Sequence, residues 1–409
     1  MEYKAIKTII FIWLALMCLM DYFVSGWQGR VLLWGMYGLL ALVWVVQNIS
    51  QKRGFIPFKE KGIMAVLYLF LFWVCVFIFF SQDSFLGVRK MFPLLAGFLC
   101  TYIFYDFLSR SKKNRKFFMN VVTLLTLFVS LWSTIEALQK IAHGESSFKN
   151  VYAGFCNQNF LGYFLFLFAP LMISYYLVNS PFKGKYAFGR VMFIMTIGYA
   201  LIVSSSRSAW NGFIMAMVYM LSWKSKVLGA GFLLLSIILN SVIFIVQGGG
   251  MYENAWQEVY KDRASAWDIC WKVFSQNPLS GLGWGIVPKG IPHAHNLYLS
   301  NAVQMGIFSV ILVLAFYILF FYRSAQTAKR ITDPESLALL QGSTSIYFGH
   351  LFYNLTDLWG IMVSTSATSV SFFPYILIAL PLSIIHFCHQ QEEAESQDRE
   401  DRIISTAAS

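Results

Sequence analysis

IMAVLYLFLFWVCVFIFF, residues 63–80, is a run of apolar residues without a single charge. At 1.5 Å per residue a helix of this length covers roughly 27 Å, close to the ~30 Å hydrocarbon thickness of a bilayer. The run shows no two-residue alternation of the kind a barrel strand in an outer membrane needs. Comparable runs recur along the chain, and twelve spans can be drawn: Thr8 to Val24, Val31 to Gln47, Ile63 to Phe80, Met91 to Phe107, Phe117 to Leu138 and Phe160 to Val178 in the first half. Phe188 to Ser205, Ser208 to Trp223, Val227 to Val246, Leu297 to Tyr322, Leu337 to Thr356 and Ala367 to Phe387 follow. Of the 409 residues 57% are hydrophobic and only 12% charged, against about 25% charged in a soluble domain. The expected fold is therefore an all-α integral membrane protein of about 12 transmembrane helices.

The net charge of +11 would suggest nucleic acid if the basic residues formed one patch. Instead they punctuate the apolar runs, which points to membrane lipid as the surrounding partner and to no nucleic acid. With the N-terminus cytoplasmic, 21 of the 31 Lys and Arg fall on the cytoplasmic side, among them Lys59, Arg110, Lys112, Arg115, Arg323 and Arg330. That bias is the expected one. The ten on the outer side, which include Arg89, Lys90, Arg207 and Arg263, stand against it and invite another explanation, the binding of an anion.

The organisation expected is a polytopic domain over residues 1–388, with one large outer loop over 247–296, and an acidic, disordered cytoplasmic tail over 389–409. Within the loop, Trp267, Trp271 and Phe274 share one face of a helix whose N-cap would be Asp262. This spacing predicts an amphipathic helix lying on the membrane surface. Gly281, Gly283 and Gly285 after Asn277-Pro278 predict a flexible turn. The six cysteines show no metal-binding spacing, and Cys156 and Cys270 are the two placed on the outer face. No metal site and no cofactor is expected.

Three places on the outer side could carry chemistry. His293-Ala294-His295-Asn296 puts two imidazoles at the mouth of the tenth span, where a histidine can take a proton from a hydroxyl; the plainer alternative is a pair of loop histidines that only cap the span. Arg207, in the hairpin Ser204-Ser205-Ser206-Arg207-Ser208, sits at the membrane boundary, where charge is costly and is usually paired or functional; the alternative there is an arginine snorkelling among headgroups. Arg263, at the start of the expected amphipathic helix, adds a cation to a helix N-terminus that favours anions. Together the two arginines could hold a diphosphate, with Arg89 and Lys90 as further contributors.

Ser206-Arg207-Ser208-Ala209-Trp210, then Arg263 with Trp267 and Phe274, then Asn277-Pro278-Leu279-Ser280-Gly281-Leu282-Gly283-Trp284-Gly285, and finally His293-Ala294-His295-Asn296-Leu297-Tyr298-Leu299 ahead of Met305-Gly306-Ile307, resemble in their order the O-antigen ligase and polymerase superfamily. Gly154 to Asn159 resembles the same family's Asn-containing segment, so that the likeness covers roughly Ala153 to Phe308. The resemblance implies a glycosyltransferase of a bacterial inner membrane that takes a glycan from undecaprenyl diphosphate and passes it to a hydroxyl of lipid A core or another glycan at the periplasmic or exterior face. Carried over residue by residue, it implies catalytic roles for Arg207, Arg263 and His295, with His293 as the neighbouring histidine; His293, Asn296 and Asn159 are expected to contact substrate, and so, from the charge reading alone, are Arg89 and Lys90, for which ordinary headgroup binding is the alternative. Fixed guanidinium groups would stabilise the leaving diphosphate, which makes the expected reaction metal-independent and inverting. A repeat-unit polymerase of the same superfamily, or a flippase or transporter of lipid-linked glycans, is the alternative. Glu136, His350, Asn354 and Asp357, the few ionisable or amide side chains near the outer ends of spans, are expected to form a hydrogen-bonded packing network or line the acceptor cavity.

Overall fold

The computed structural model describes residues 4–23, 27–52, 54–144, 151–153, 155, 157–178, 186–246, 250–291, 293–357, 361–362 and 369–408. Among them the regular structure is helical throughout, with no strand. The helices are α1 (Lys4–Phe23), α2 (Trp27–Ser50), α3 (Lys61–Phe79), α4 (Ser84–Ser109), α5 (Lys112–Ala142) and α6 (Gln158–Ile173, continued by a π turn over Ser174–Val178). They are followed by α7 (Ala187–Val203), α8 (Arg207–Lys224), α9 (Lys226–Val246), α10 (Gly250–Gln276) and α11 (Leu297–Met305). The last are α12 (Ile307–Ala328), α13 (Pro334–Tyr353) and α14 (Phe373–Ala408). Six of them contain a stretch long and apolar enough to cross a membrane by length and composition: α3, α4, α5, α6, α12 and the first part of α14.

α6 is the centre of the bundle, buried continuously from Phe160 to Met172, and α8 and α13 pack on it through small residues. A Cβ on Gly349 would come within 2.3 Å of the Gly212 carbonyl oxygen, one on Gly342 within 3.0 Å of Leu171 Cα, and one on Gly162 within 2.4 Å of Ser206 Cβ. In lipid such close backbone approach, more than apolar burial, holds helices together. The α6–α8–α13 contact fixes the axial register of these helices. It places the first turns of α8 beside the end of α13, with Gly212 against Tyr353 and Ser208 against Thr356, and so determines which side chains meet at that end of the bundle.

The opposite end gathers the basic residues assigned above to the cytoplasm. Arg110 forms an ion pair with buried Asp106 at 2.7 Å, Arg323 one with Glu60 at 3.0 Å, and Lys112 one with Asp333 at 3.4 Å. Asp106 also accepts from Trp44 Nε1 at 3.0 Å and from the Ile56 amide at 3.2 Å, so this buried carboxylate has its hydrogen bonds supplied.

The boundaries differ from the sequence reading in four places. The tenth span, expected over Leu297 to Tyr322, is two helices broken at Gly306. There φ is +74° and a Cβ would lie 2.2 Å from the Leu279 carbonyl oxygen, while the Ile307 amide donates to Pro278 O at 2.9 Å. The expected start of the twelfth, Ala367 and Thr368, lies outside the described residues; a 3-10 turn at Ser369–Phe372 precedes α14, and Ile361 and Met362 are buried, with Met362 O accepting from Asn301 Nδ2 at 3.1 Å. The polar stretch expected as a disordered tail continues α14 to Ala408, because its Glu, Gln and Ala residues are helix formers and Glu392 and Glu393 pair with Arg330 and Lys59. α10 begins at Gly250, twelve residues before the expected N-cap Asp262.

Candidate active site

Three connections converge where α8 begins and α13 ends. The first is the serine hairpin: Ser205 has φ +52°, Ser204 Oγ donates to Leu201 O at 2.7 Å, and the chain enters α8 at Arg207. Ser206, the N-cap, gives no side-chain cap hydrogen bond. Arg207 is exposed and is the first residue of α8, at the end of the helix that favours anions.

The second is the end of α13. Thr356 Oγ1 donates to Ser208 Oγ at 3.0 Å, joining this end to the first turn of α8. Tyr353 OH donates to buried Asp357 Oδ2 at 3.2 Å. Deeper in the same helix His350 is buried, stacked on Tyr163 and 3.1 Å from its hydroxyl.

The third is the turn His293 to Asn296. Asn296 is the N-cap of α11: its Oδ1 accepts from Leu299 N at 2.9 Å and its Nδ2 donates to Leu355 O at 3.0 Å. The Leu297 amide donates to Asn354 O at 2.9 Å, and Tyr298 OH to Leu351 O at 3.0 Å. These bonds fasten the turn to α13. His295 takes φ +47° within it, and its ring lies 3.9 Å, centroid to centroid, from that of exposed His293.

α10 crosses this turn. Trp267 Nε1 donates to Ala294 O at 2.9 Å, and Ala294 packs with Cys270 and Val303. Arg263, one helical turn ahead of Trp267, is half-buried and lies close enough to act on His295 electrostatically. The imidazole is pushed down to about 4, first by burial and then by the neighbouring His293 and the Arg263 charge. At neutral pH His295 is thus neutral, with a lone pair available. Its Nδ1 is buried and makes no hydrogen bond to the protein.

The structure thus brings Arg263, His293, His295 and Asn296 together and joins them through α13 to the start of α8, where Arg207 sits. Asn159 belongs to the same end: it lies on the first turn of α6, three residues ahead of Gly162, which abuts Ser206. Arg89 and Lys90 stand elsewhere, on the early turns of α4; Arg89 is exposed and the Lys90 stem packs beside Gly285. Asn296 spends its amide on holding the turn. Glu136 accepts from the amides of Tyr152 at 3.1 Å and Ala153 at 2.8 Å, which fixes the approach to α6.

Three local expectations change. Arg263 lies inside α10, where amides are already bonded to carbonyls one turn back, so the helix N-terminus of this site is that of α8. The covered face of α10 is Ala266 and Cys270 with half-buried Trp267, Val273 and Phe274, whereas Trp271 is 60% exposed, so Trp267 and Phe274 lie against the protein and Trp271 does not. The glycine turn is pinned, not flexible. Leu282 N donates to Val303 O at 2.8 Å, Gly283 N to Gln304 O at 2.9 Å and Gly285 N to Gln304 Oε1 at 2.8 Å, while Trp284 is fully buried against Phe70. A Cβ on Gly281 would sit 2.5 Å from the Gln304 carbonyl carbon, so glycine permits this approach. Cys270 is a free buried thiol, pushed up to about 11 by burial, and Cys156 lies outside the described residues. The sequence reading missed Thr356, Tyr353 and Tyr298, whose only signal is their place at the mouths of spans.

A family model described as O-antigen ligase matches residues 191–314. That window contains Arg207, Arg263, His293 and His295, and it supports the O-antigen ligase superfamily for this chain. No curated protein matches it. Apolar helices and family match together point to a multi-pass membrane protein of the O-antigen ligase and polymerase type, glycosyltransferases that act on lipid-linked glycans.

Proposed function

We propose that this protein transfers a glycan from undecaprenyl diphosphate to a hydroxyl of an acceptor glycan, lipid A core in the ligase case, at the outer face of a bacterial inner membrane. The observation that carries the reading is the convergence of Arg263 and neutral His295 on a turn that α13 ties to the Arg207 end of α8. Arg207, with the α8 amides, and Arg263 hold the diphosphate and stabilise the charge that develops as it leaves. His295 accepts the proton of the attacking hydroxyl; the C–O bond to the acceptor forms on the face opposite the departing diphosphate, which inverts the anomeric carbon. Asn296 and Trp267 hold the turn that carries the base, and His293 and Asn159 line the approach. The charge of the two arginines serves where other transferases use a metal ion. The basic end of the bundle, with Lys59, Arg110 and Arg330, lies in the cytoplasm.

The test is glycan transfer by the purified protein in nanodiscs, with EDTA present. His295→Ala is expected to lower turnover by roughly 10² to 10⁴ while leaving donor affinity nearly unchanged, and Arg207→Ala or Arg263→Ala to weaken both. Full activity of His295→Ala removes the imidazole from the mechanism, and loss of wild-type activity in EDTA overturns the metal-independent step.

A further inference from the structure

The end of α13 carries the histidine turn on its carbonyls. Leu351 O accepts from Tyr298 OH, Asn354 O from the Leu297 amide and Leu355 O from Asn296 Nδ2. Whatever fixes this end of α13 therefore fixes the turn that holds His295. Its inward side is polar: His350 and Asn354, four residues apart, share one face of the helix, His350 meeting Tyr163 of α6 and Asn354 meeting Tyr317 of α12, all four buried. Their hydrogen bonding is incomplete. His350 Nε2 lies 3.1 Å from the Tyr163 hydroxyl, whereas its Nδ1, the amide nitrogen and oxygen of Asn354 and the Tyr317 hydroxyl make no hydrogen bond to any described residue. Asn354 stands close enough to Tyr317 to act on its hydroxyl, yet the two groups are out of hydrogen-bond geometry.

Polar atoms kept dry inside a helix bundle forfeit the hydrogen bonds they would make with water, and several in one place multiply that cost. A partner is required, and the chemistry of the groups selects it. No carboxylate or guanidinium is among them, and Asp357, the next acid along α13, already accepts from Tyr353 OH at 3.2 Å. An ion brought into this set would go uncompensated, and groups so buried are closed to a sugar. What fits is a small neutral molecule that both donates and accepts. Water does so with about two to four polar partners, and it spans a gap such as the one between Asn354 and Tyr317. We propose that ordered water bridges Tyr317, His350 and Asn354, and that through it His350 and Asn354 are positioning residues for the turn that carries His295; the positioning, unlike the water site, rests on the function proposed above.

Three measurements test it on the full-length protein in nanodiscs. Cryo-electron microscopy of the wild type, at a resolution that shows ordered water, is expected to find density within hydrogen-bond distance of both Tyr317 OH and the Asn354 amide. A direct, dry contact between the two overturns the water site. Melting temperature supplies an independent sign. If the groups were dry, Tyr317→Phe and Asn354→Leu would each remove an unsatisfied group and leave the protein as stable or more so. With a shared water each is expected to lower the melting temperature, and the double variant by less than the sum, because the water is lost only once; stabilising or additive changes overturn the bridge. For positioning, the readout is the division between kcat and KM. Asn354→Leu is expected to lower kcat by up to about 10²-fold with donor KM nearly unchanged. Asn354→Ser, which keeps a hydroxyl and leaves room for a further water, should recover most of that loss. Equal losses in the two variants, or a loss confined to KM, overturn the positioning role. If the wild type transfers no glycan while the density and the melting shifts are found, the function proposed above fails and the water site stands.

Discussion

The charge balance around His295 gives a pH dependence with a definite sign. Its imidazole is lowered from 6.5 to about 4, with burial the largest cause and His293 and Arg263 the two charged ones. A base must be unprotonated to act, so the acid limb of kcat/KM, which reports the free enzyme, is expected near pH 4 in the wild type. Arg263→Gln removes one charged cause and His293→Gln the other. Each should move the limb upward, toward 6.5 but short of it, because burial remains. In the proposed donor complex the diphosphate would lie against Arg263 and offset its charge, which raises the proton affinity of His295. The acid limb of kcat is therefore expected at higher pH than that of kcat/KM. Donor binding thus makes the imidazole a stronger base just when a proton has to be taken. The assay is initial-rate glycan transfer from acid to neutral pH, with return to neutral pH after each acid exposure to separate titration from unfolding. That control is required because a lowered histidine also links to stability: the unfolded chain binds the proton more readily, so stability is full above about 6.5 and declines as pH falls toward 4. A wild-type limb at 6.5, or one that neither variant displaces, would refute the role of Arg263 and His293 in setting this base.

Gly349→Val should be among the most disruptive single changes outside the site, because its Cβ meets the Gly212 carbonyl at 2.3 Å; overpacking of this kind costs about 1–3 kcal/mol, read as a lower melting temperature with loss of transfer. Asn296→Ala removes the cap of α11 and the bond to Leu355 O. A cap is worth about 0.5–2 kcal/mol, and the expected result is a fall in kcat larger than the rise in donor KM, since the turn that carries His295 loosens. Trp284→Ala empties a fully buried site against Phe70 and should cost about 3–5 kcal/mol, checked by thermal unfolding in detergent; a change of a few tenths would show that the glycine turn does not anchor α3. A tag inserted after Gly290 should be open to protease in intact spheroplasts and one after Ser409 protected; equal protection of both overturns the proposed orientation.

What was legible in the sequence and what was not divides along a physical line. Apolar runs announce helices because each must cover its own length of hydrocarbon, and so α3 and α6 fall where the residues at 63–80 and 160–178 place them. The cap of α11 was equally readable, as an asparagine directly ahead of an apolar run. The break at Gly306 was not, since the residues on both sides are apolar and the cause is a carbonyl brought in from Leu279, about a helix and a loop away in the chain. Nor was all of the covered face of α10. Trp267 and Phe274 lie on it as their spacing marks, but small Ala266 and Cys270, the latter packed with Ala294 and Val303, are buried there while Trp271 is exposed. For the proposed site, Arg207, Arg263 and His295 were legible in the sequence, but their dependence on packing was not. The α8 end and the histidine turn meet only because Gly212 and Gly349 let α8 and α13 touch at the backbone, so that Thr356 reaches Ser208 and Leu355 reaches Asn296. The geometry of the proposed site thus rests on glycines farther down the helices, and variants at Gly212 or Gly349 should lower transfer by separating Arg207 from His295.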